Sequence, residues 1–347
     1  KQKKGIIKFY NFLSWFKKVS QEYKKYNNKL YLFYTGNPLN FSFLFFHFFL
    51  LVKKVNIVFI KQNTLPNIDI TKDYSIKENL IFKCHRLFNR KKHVLFETKF
   101  KIINLFLNII TKFFPPIIVF TNGKIDKKRF KYKFPKSKIV SLNSWDTSKI
   151  FLKTKKNIYF KKNYGVYLTP FSINSASDSN TYGYKKLENA EKVFYFVNKG
   201  LDKIEKKNKN KILIGLHPRG EDNIKKLSEL GNRQTFKHET LQLIKNSKFV
   251  ITHMSIAISY AILFYKPLIF IHTKEHKKNL FYMRYNKHMA NFFSCDAVDV
   301  ENLSSKFIPN KISHSMKAKY DYFKNNYLLS NEYKKIPNYK IIKNIIR

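Results

Sequence analysis

Short apolar runs alternate with longer amphipathic ones along most of this chain. Leu30 to Tyr34 is an unbroken apolar and aromatic run and predicts a buried strand. Thr35-Gly-Asn-Pro38 follows as a turn, Leu39 to Lys54 as an almost wholly apolar helix, and Val55 to Ile60 as the next strand. A strand, helix, strand succession predicts a βαβ unit and a parallel sheet. Val94 to Phe96, ending at Glu97, and Ile117 to Phe120 read as further short strands. The second of these runs into the turn Thr121-Asn-Gly123, and Ile139-Val140 leads into Ser141 to Asp146.

Residues 151 to 163 are rich in Lys and poor in consecutive apolar positions, and a boundary is expected there. The alternation then resumes. Gly165 to Leu168 predicts a strand, Leu187 to Lys206 a helix and Lys211 to Leu216 a buried strand. Glu239 to Asn246 predicts a short helix, Phe249 to Thr252 a strand, Ser255 to Phe264 a helix and Pro267 to Ile271 a strand. The expected class is therefore α/β: two doubly wound Rossmann-like domains facing across a cleft. The expected division is residues 1–155, 156–310 and a basic helical segment, 311–347.

Composition narrows the picture. The chain has 347 residues, enough for about two domains. Lys and Arg number 68 against 22 acids, a formal charge of +46. That suggests an anionic partner. However, codons rich in A and T would raise Lys, Asn, Ile, Phe and Tyr together, and the charge is spread along the chain instead of forming one stripe. A nucleic-acid partner is therefore not expected, whereas Lys interleaved with aromatics suits peripheral contact with an anionic membrane. The two cysteines, Cys84 and Cys295, have no metal-ligand spacing. The apolar run Phe41 to Val52 is shorter than the ~20 residues of a spanning helix. No secretory signal is visible, so a reduced cytoplasmic compartment is expected, at the inner face of the membrane.

Chemistry concentrates between Lys211 and Thr273. In open parallel sheets, ligands bind beyond the carboxyl ends of the strands. One strand ends in Leu216-His-Pro-Arg-Gly220, where His217 and Arg219 can donate to a phosphate and Pro218 fixes the turn. Another ends at Thr252-His253, and Ser255 reads as the N-cap of the helix that follows. Thr240 opens the preceding helix and could line the same pocket. Carboxylates are scarce and no acidic cluster is suited to Mg²⁺, so neither a metal nor a cofactor is expected.

Leu213 to Asp222, together with Phe236 to Ile271, resembles the nucleotide-binding domain of bacterial GT-B glycosyltransferases of surface-polysaccharide synthesis. The likeness is nearest to those using CMP donors of Kdo, sialic acid or related nonulosonic acids. His217 and Pro218 match their His-Pro motif and Ser255 their serine motif; Ile256 stands where that motif often carries Thr. The resemblance implies that His217 and Ser255 contact the donor phosphate. It also implies an acidic general base in the N-terminal domain, for which Glu97, Asp126 and Asp146 are the candidates. The acceptor would be a capsule or lipopolysaccharide glycan, free or lipid-linked. A UDP-sugar transferase or a nucleotide-sugar epimerase on the same fold is the alternative, and a non-enzymatic basic protein that binds nucleic acid or membrane the second.

Overall fold

Four parallel strands form the first sheet: β1 (Tyr31–Tyr34), β2 (Asn56–Lys61), β3 (Ile118–Asn122) and β4 (Lys138–Leu142). The computed structural model describes residues 31–34, 56–61, 91–152, 163–169, 190–217, 230–253, 255–278, 280–303 and 311–346, and positions 17, 21 and 80. The helix expected over Leu39 to Lys54 lies outside the described residues, as do Pro218 and Arg219 of the His-Pro turn. The chain divides into two units. One comprises Lys1–Gln62 and Val94–Leu142, the other Asn63–His93 and Asn143–Arg347.

In the first unit the strands follow one another in space as they do in sequence, β1-β2-β3-β4. The central strands are apolar and buried on both faces, with Val58 and Val119 fully inaccessible. That is the expected pattern for a covered parallel sheet. Helix α1 (Lys91–Phe113) precedes β3, and α2 (Gly123–Lys133) joins β3 to β4. The chain leaves β3 through Gly123 at φ +66°, where a side chain would be strained. Phe130 stacks on Phe134 at the end of α2, and Phe134 meets Phe59 of β2 edge-on at 5.9 Å.

One sequence expectation is overturned here. Val94 to Phe96 is not a strand, and Glu97 does not end one: all four residues lie inside the 23-residue helix α1. A three-residue apolar run does not distinguish strand from helix. The apolar residues continue at helical spacing through Ile102, Phe106, Ile109 and Phe113, and the longer pattern decides.

After β4 the chain enters the second unit at Asn143, and α3 (Trp145–Ile150) follows. Its elements continue as β5 (Tyr164–Leu168), α4 (Ala190–Asn208), β6 (Lys211–Leu216) and β7 (Thr235–Lys237). Next come α5 (Thr240–Asn246), β8 (Phe249–Thr252), α6 (Ile258–Leu263), β9 (Leu268–His272) and the single turn α7 (Lys274–Lys277). They end with α8 (Leu280–Phe293), β10 (Ala297–Asp299), α9 (His314–Phe323) with a π-helical turn at Lys324–Leu328, and α10 (Asn338–Ile346).

The six strands of this unit are parallel and stand in the order β10-β9-β8-β5-β6-β7. Growth runs outward from β5 to β6 and β7, then reverses to β8, β9 and β10 on the other side. This is the doubly wound Rossmann order, with its reversal between β5 and β8. Side chains alternate accordingly. Val166, Leu168, Val250 and Phe270 enter one core with α5, α6, α8 and α9. Tyr167, Ile212, Ile251 and Ile269 enter a second core against α4. Gly165 on β5 lies opposite Phe249 on β8, and a Cβ there would come within 2.3 Å of the Phe249 ring.

The segment from Ser330 to Ile341 belongs to this unit as well. The Asn143 side chain donates to the carbonyls of Tyr333 (3.1 Å) and Ile336 (2.9 Å) and accepts the Ser330 N–H (2.9 Å). Asn338 reciprocates by donating to the Asn143 carbonyl at 2.7 Å. These bonds, buried or partly so, fasten the chain where it leaves β4.

Candidate functional site

The carboxyl edge of the second sheet gathers polar residues on an otherwise apolar scaffold. Because β5 stands between β6 and β8, their ends are two strand spacings apart, roughly 10 Å. His217 directly follows β6 and is half-buried. Its backbone N–H donates to Thr169 Oγ1 at 3.1 Å, and the Thr169 N–H donates to the Gly215 carbonyl at 3.0 Å. Thr169 thus locks the end of β5 to the end of β6.

Thr252 and His253 stand at the end of β8, both fully buried. The His253 ring is packed, with Nε2 hydrogen-bonded to the Tyr167 hydroxyl at 2.8 Å. It lies 4.6 Å from the His276 ring, which in turn lies 4.7 Å from Tyr282. Burial holds the His253 pKa down at about 3, with the nearby His272 acting in the same direction and the Ile271 carbonyl against it. Burial likewise holds His276 well below the usual imidazole range. Both rings are neutral in the folded protein.

His276 is absent from any reading of the sequence. It sits in the turn after β9, where Thr273 and His276 cap each other: the Thr273 N–H donates to Nδ1 at 3.2 Å. In the neutral ring Nε2 then carries the proton. That nitrogen is buried without a partner among the described residues, as are Thr252 Oγ1 and His272 Nδ1. With His253 Nδ1, four such polar atoms at and just past the ends of β8 and β9 are uncommon in a native interior. The only local signal was an ordinary Thr-x-x-His spacing, and the convergence depends on strand order.

Ser255 differs from its expected role. Helix α6 begins at Ile258 and its cap position is Ala257, so Ser255 is not the N-cap. Its Oγ accepts the Ala257 N–H at 3.2 Å, closing a tight serine turn ahead of the helix. Ser255 is half-buried and Ile256 exposed at the tip of that turn. Thr240 is the first residue of α5, behind Glu239 in the cap position, and is half-buried.

The three candidate acids are dispersed. Glu97 is in α1, as described above. Asp126 is buried in the first turn of α2, just past the end of β3. Asp146 belongs to the second unit, in α3, and its Oδ2 accepts a 2.7 Å bond from Ser259 Oγ of α6. Tyr260 also hydrogen-bonds Asp146, and burial together with that carboxylate raises the Tyr260 phenol well above its ordinary pKa. This is the setting of a carboxylate that joins two helices. Among the described residues no group of three His, Cys, Asp or Glu is placed to hold a metal.

An open groove of about 820 Å³ lies elsewhere, at the amino-terminal end of β6, lined by Asn198, Asp202, Glu205 and Arg233. Arg233 ties Asp202, Glu205 and Asn198 together there. Lys206, Lys209 and Lys211 line it as well, and it is at the opposite sheet edge from the strand ends that carry the polar residues.

No protein-family model matches the chain, and no curated protein matches it. Solved structures of similar course exist. The Methanocaldococcus jannaschii UDP-GlcNAc 2-epimerase, in complex with UDP-GlcNAc and UDP, is 12% identical, covering 94% of this chain and 79% of its own at a TM-score of 0.41. The Neisseria meningitidis UDP-GlcNAc 2-epimerase, bound to UDP-GlcNAc, is 11% identical, covering 98% and 83% at 0.43. The calicheamicin glycosyltransferase CalG4 is 7% identical, covering 98% and 81% at 0.44. Likeness at this level transfers no activity and no residue. None of the three names a CMP donor.

Proposed function

We propose that this protein is a nucleotide-sugar enzyme that binds its donor at the carboxyl edge of the second sheet and transfers the sugar to an acceptor. The observation that carries this reading is the reversal of strand order between β5 and β8. Two crossovers leave in opposite directions there and open a crevice, where Rossmann-type sheets hold nucleotides. Thr169, His217, Thr252 and Ser255 stand at or just past the ends of β5, β6 and β8 and would border it. The sequence resemblance to GT-B transferases falls on these same strand ends.

His217 would donate to a donor phosphate, with its backbone held by Thr169, and would stabilise the negative charge that grows on the leaving nucleotide. The turn from Ser255 to Ala257 would border the phosphate from the β8 side. Arg219, three residues beyond β6, would add a paired contact. His253 would act behind these groups as a positioning residue, because its ring is enclosed. We infer a nucleoside diphosphate donor in place of CMP, because the similar solved epimerases hold UDP-GlcNAc or UDP.

The test is thermal stabilisation by UDP, dTDP, GDP and CMP, followed by product analysis with and without acceptor. A ligand that binds only the folded state at 100 times its Kd stabilises by about 2.7 kcal/mol. A diphosphate should raise the melting temperature, and His217→Ala should lose most of that rise while melting normally without ligand. Epimerised sugar nucleotide in the absence of acceptor would assign an epimerase instead. Full stabilisation of His217→Ala would remove His217 from the site.

A further inference from the structure

We propose that one face of α1 is a docking surface for an anionic lipid bilayer, whichever reaction the second unit performs. Ile102, Leu105, Phe106, Ile109 and Phe113 are 41–71% exposed. Their spacing (i, i+3, i+4, i+7, i+11) puts them in one stripe of the helix. Ile103, on the flank beyond Phe106, and Thr111, on the opposite side, are buried. α1 thus already has a face seated in the protein and presents a second apolar face outward. Phe114 and Ile117, just past the helix, extend the exposed apolar surface. Exposed aliphatic and aromatic side chains this closely grouped mark a site of interaction.

Charge selects the occupant. Lys101 and Lys112 are exposed along one flank of the stripe. From residue 91 to 142 there are thirteen Lys and Arg against two acids, Glu97 and Asp126. A second copy of the chain would bring the same formal charge of +46 against it, and like charges oppose that pairing. A nucleic acid would neutralise the lysines but gain nothing from five apolar side chains. An anionic bilayer satisfies both: lysines lie among the headgroups and the stripe sinks to the acyl boundary. No described helix is long and apolar enough to cross a membrane, so α1 would lie in the interface plane.

The experiment is co-sedimentation of the full chain with vesicles of phosphatidylcholine alone and of phosphatidylcholine with phosphatidylglycerol. Binding should be at least about tenfold stronger to the anionic vesicles and should weaken with salt. Leu105→Asp with Phe106→Asp should cost at least about tenfold in partitioning with an unchanged melting temperature. Lys101→Glu with Lys112→Glu should lower binding and flatten its salt dependence. If the Asp variant fails to fold, Leu105→Trp serves: its emission should shift to shorter wavelength with anionic vesicles only. Equal binding to both vesicle types, wild-type binding by the Asp variant, or an unshifted Leu105→Trp emission would each overturn the proposal. So would a stripe-dependent dimer that binds no vesicles.

Discussion

The two sheets are made from the same materials and arranged differently. Both are parallel, both are filled with Ile, Val and Phe, and both end their strands in polar residues. In the first, the described strands stand in chain order, β1-β2-β3-β4, and no reversal opens a crevice among them. In the second, the order reverses between β5 and β8, and the polar ends of β5, β6, β8 and β9 meet beside that reversal. In the first sheet Ser141 Oγ of β4 donates to the Gly123 carbonyl at 3.2 Å, while Thr121 Oγ1, near the end of β3, is buried without a partner among the described residues. The ends of the second also include buried atoms without partners, so such atoms do not by themselves separate the two sheets. Polar strand ends alone therefore do not make a site, and strand order decides which ends can share a ligand.

The strongest way to break the comparison is to pry β5 from β8. Gly165→Val would drive a side chain into the Phe249 ring and should cost about 3 kcal/mol, read as a large fall in melting temperature. Acid comes next. His253 is held at about 3 and an unfolded histidine titrates near 6.5, so the unfolded chain binds the extra proton. Stability is complete above about pH 6.5 and falls with pH through that window, by about 2 kcal/mol at pH 5 from His253 alone. Melting followed from pH 7 to pH 5 checks this, and a flat profile would mean the ring is not enclosed.

Smaller effects sharpen the picture. Asp146→Ala leaves the hydroxyls of Ser259 and Tyr260 without their shared acceptor and should cost about 1.5 kcal/mol. Nucleotide affinity should hold. A variant that melts normally but loses turnover would restore Asp146 as an acid–base group. Thr169→Val removes the acceptor of the His217 N–H and should cost about 1 kcal/mol, with a modest loss of diphosphate affinity.

Local pattern made much of this fold legible. β6, β8 and β9 are apolar runs bounded by Lys, Ser and Pro, and each was readable because a doubly covered strand has no polar face. β7 and β10 were not, since three residues with partly exposed side chains carry no period. Three residues of α1 taken alone suggest a strand, and Ser255 suggests a cap that the chain forms two residues later, at Ala257. Which residues would face the crevice was readable only in part. The position of His217 follows from where β6 stops. The enclosure of His253 and the partnership with His276 depend on β9 lying beside β8, and strand order is not written in any local spacing.

Hydrogen exchange with and without a nucleoside diphosphate tests the central claim most directly. The expected result is slowed exchange in peptides covering 164–169, 212–217 and 250–257, with residues 118–126 of the first sheet unchanged. Protection confined to 118–126, or no protection anywhere at saturating UDP, dTDP and GDP, would contradict it.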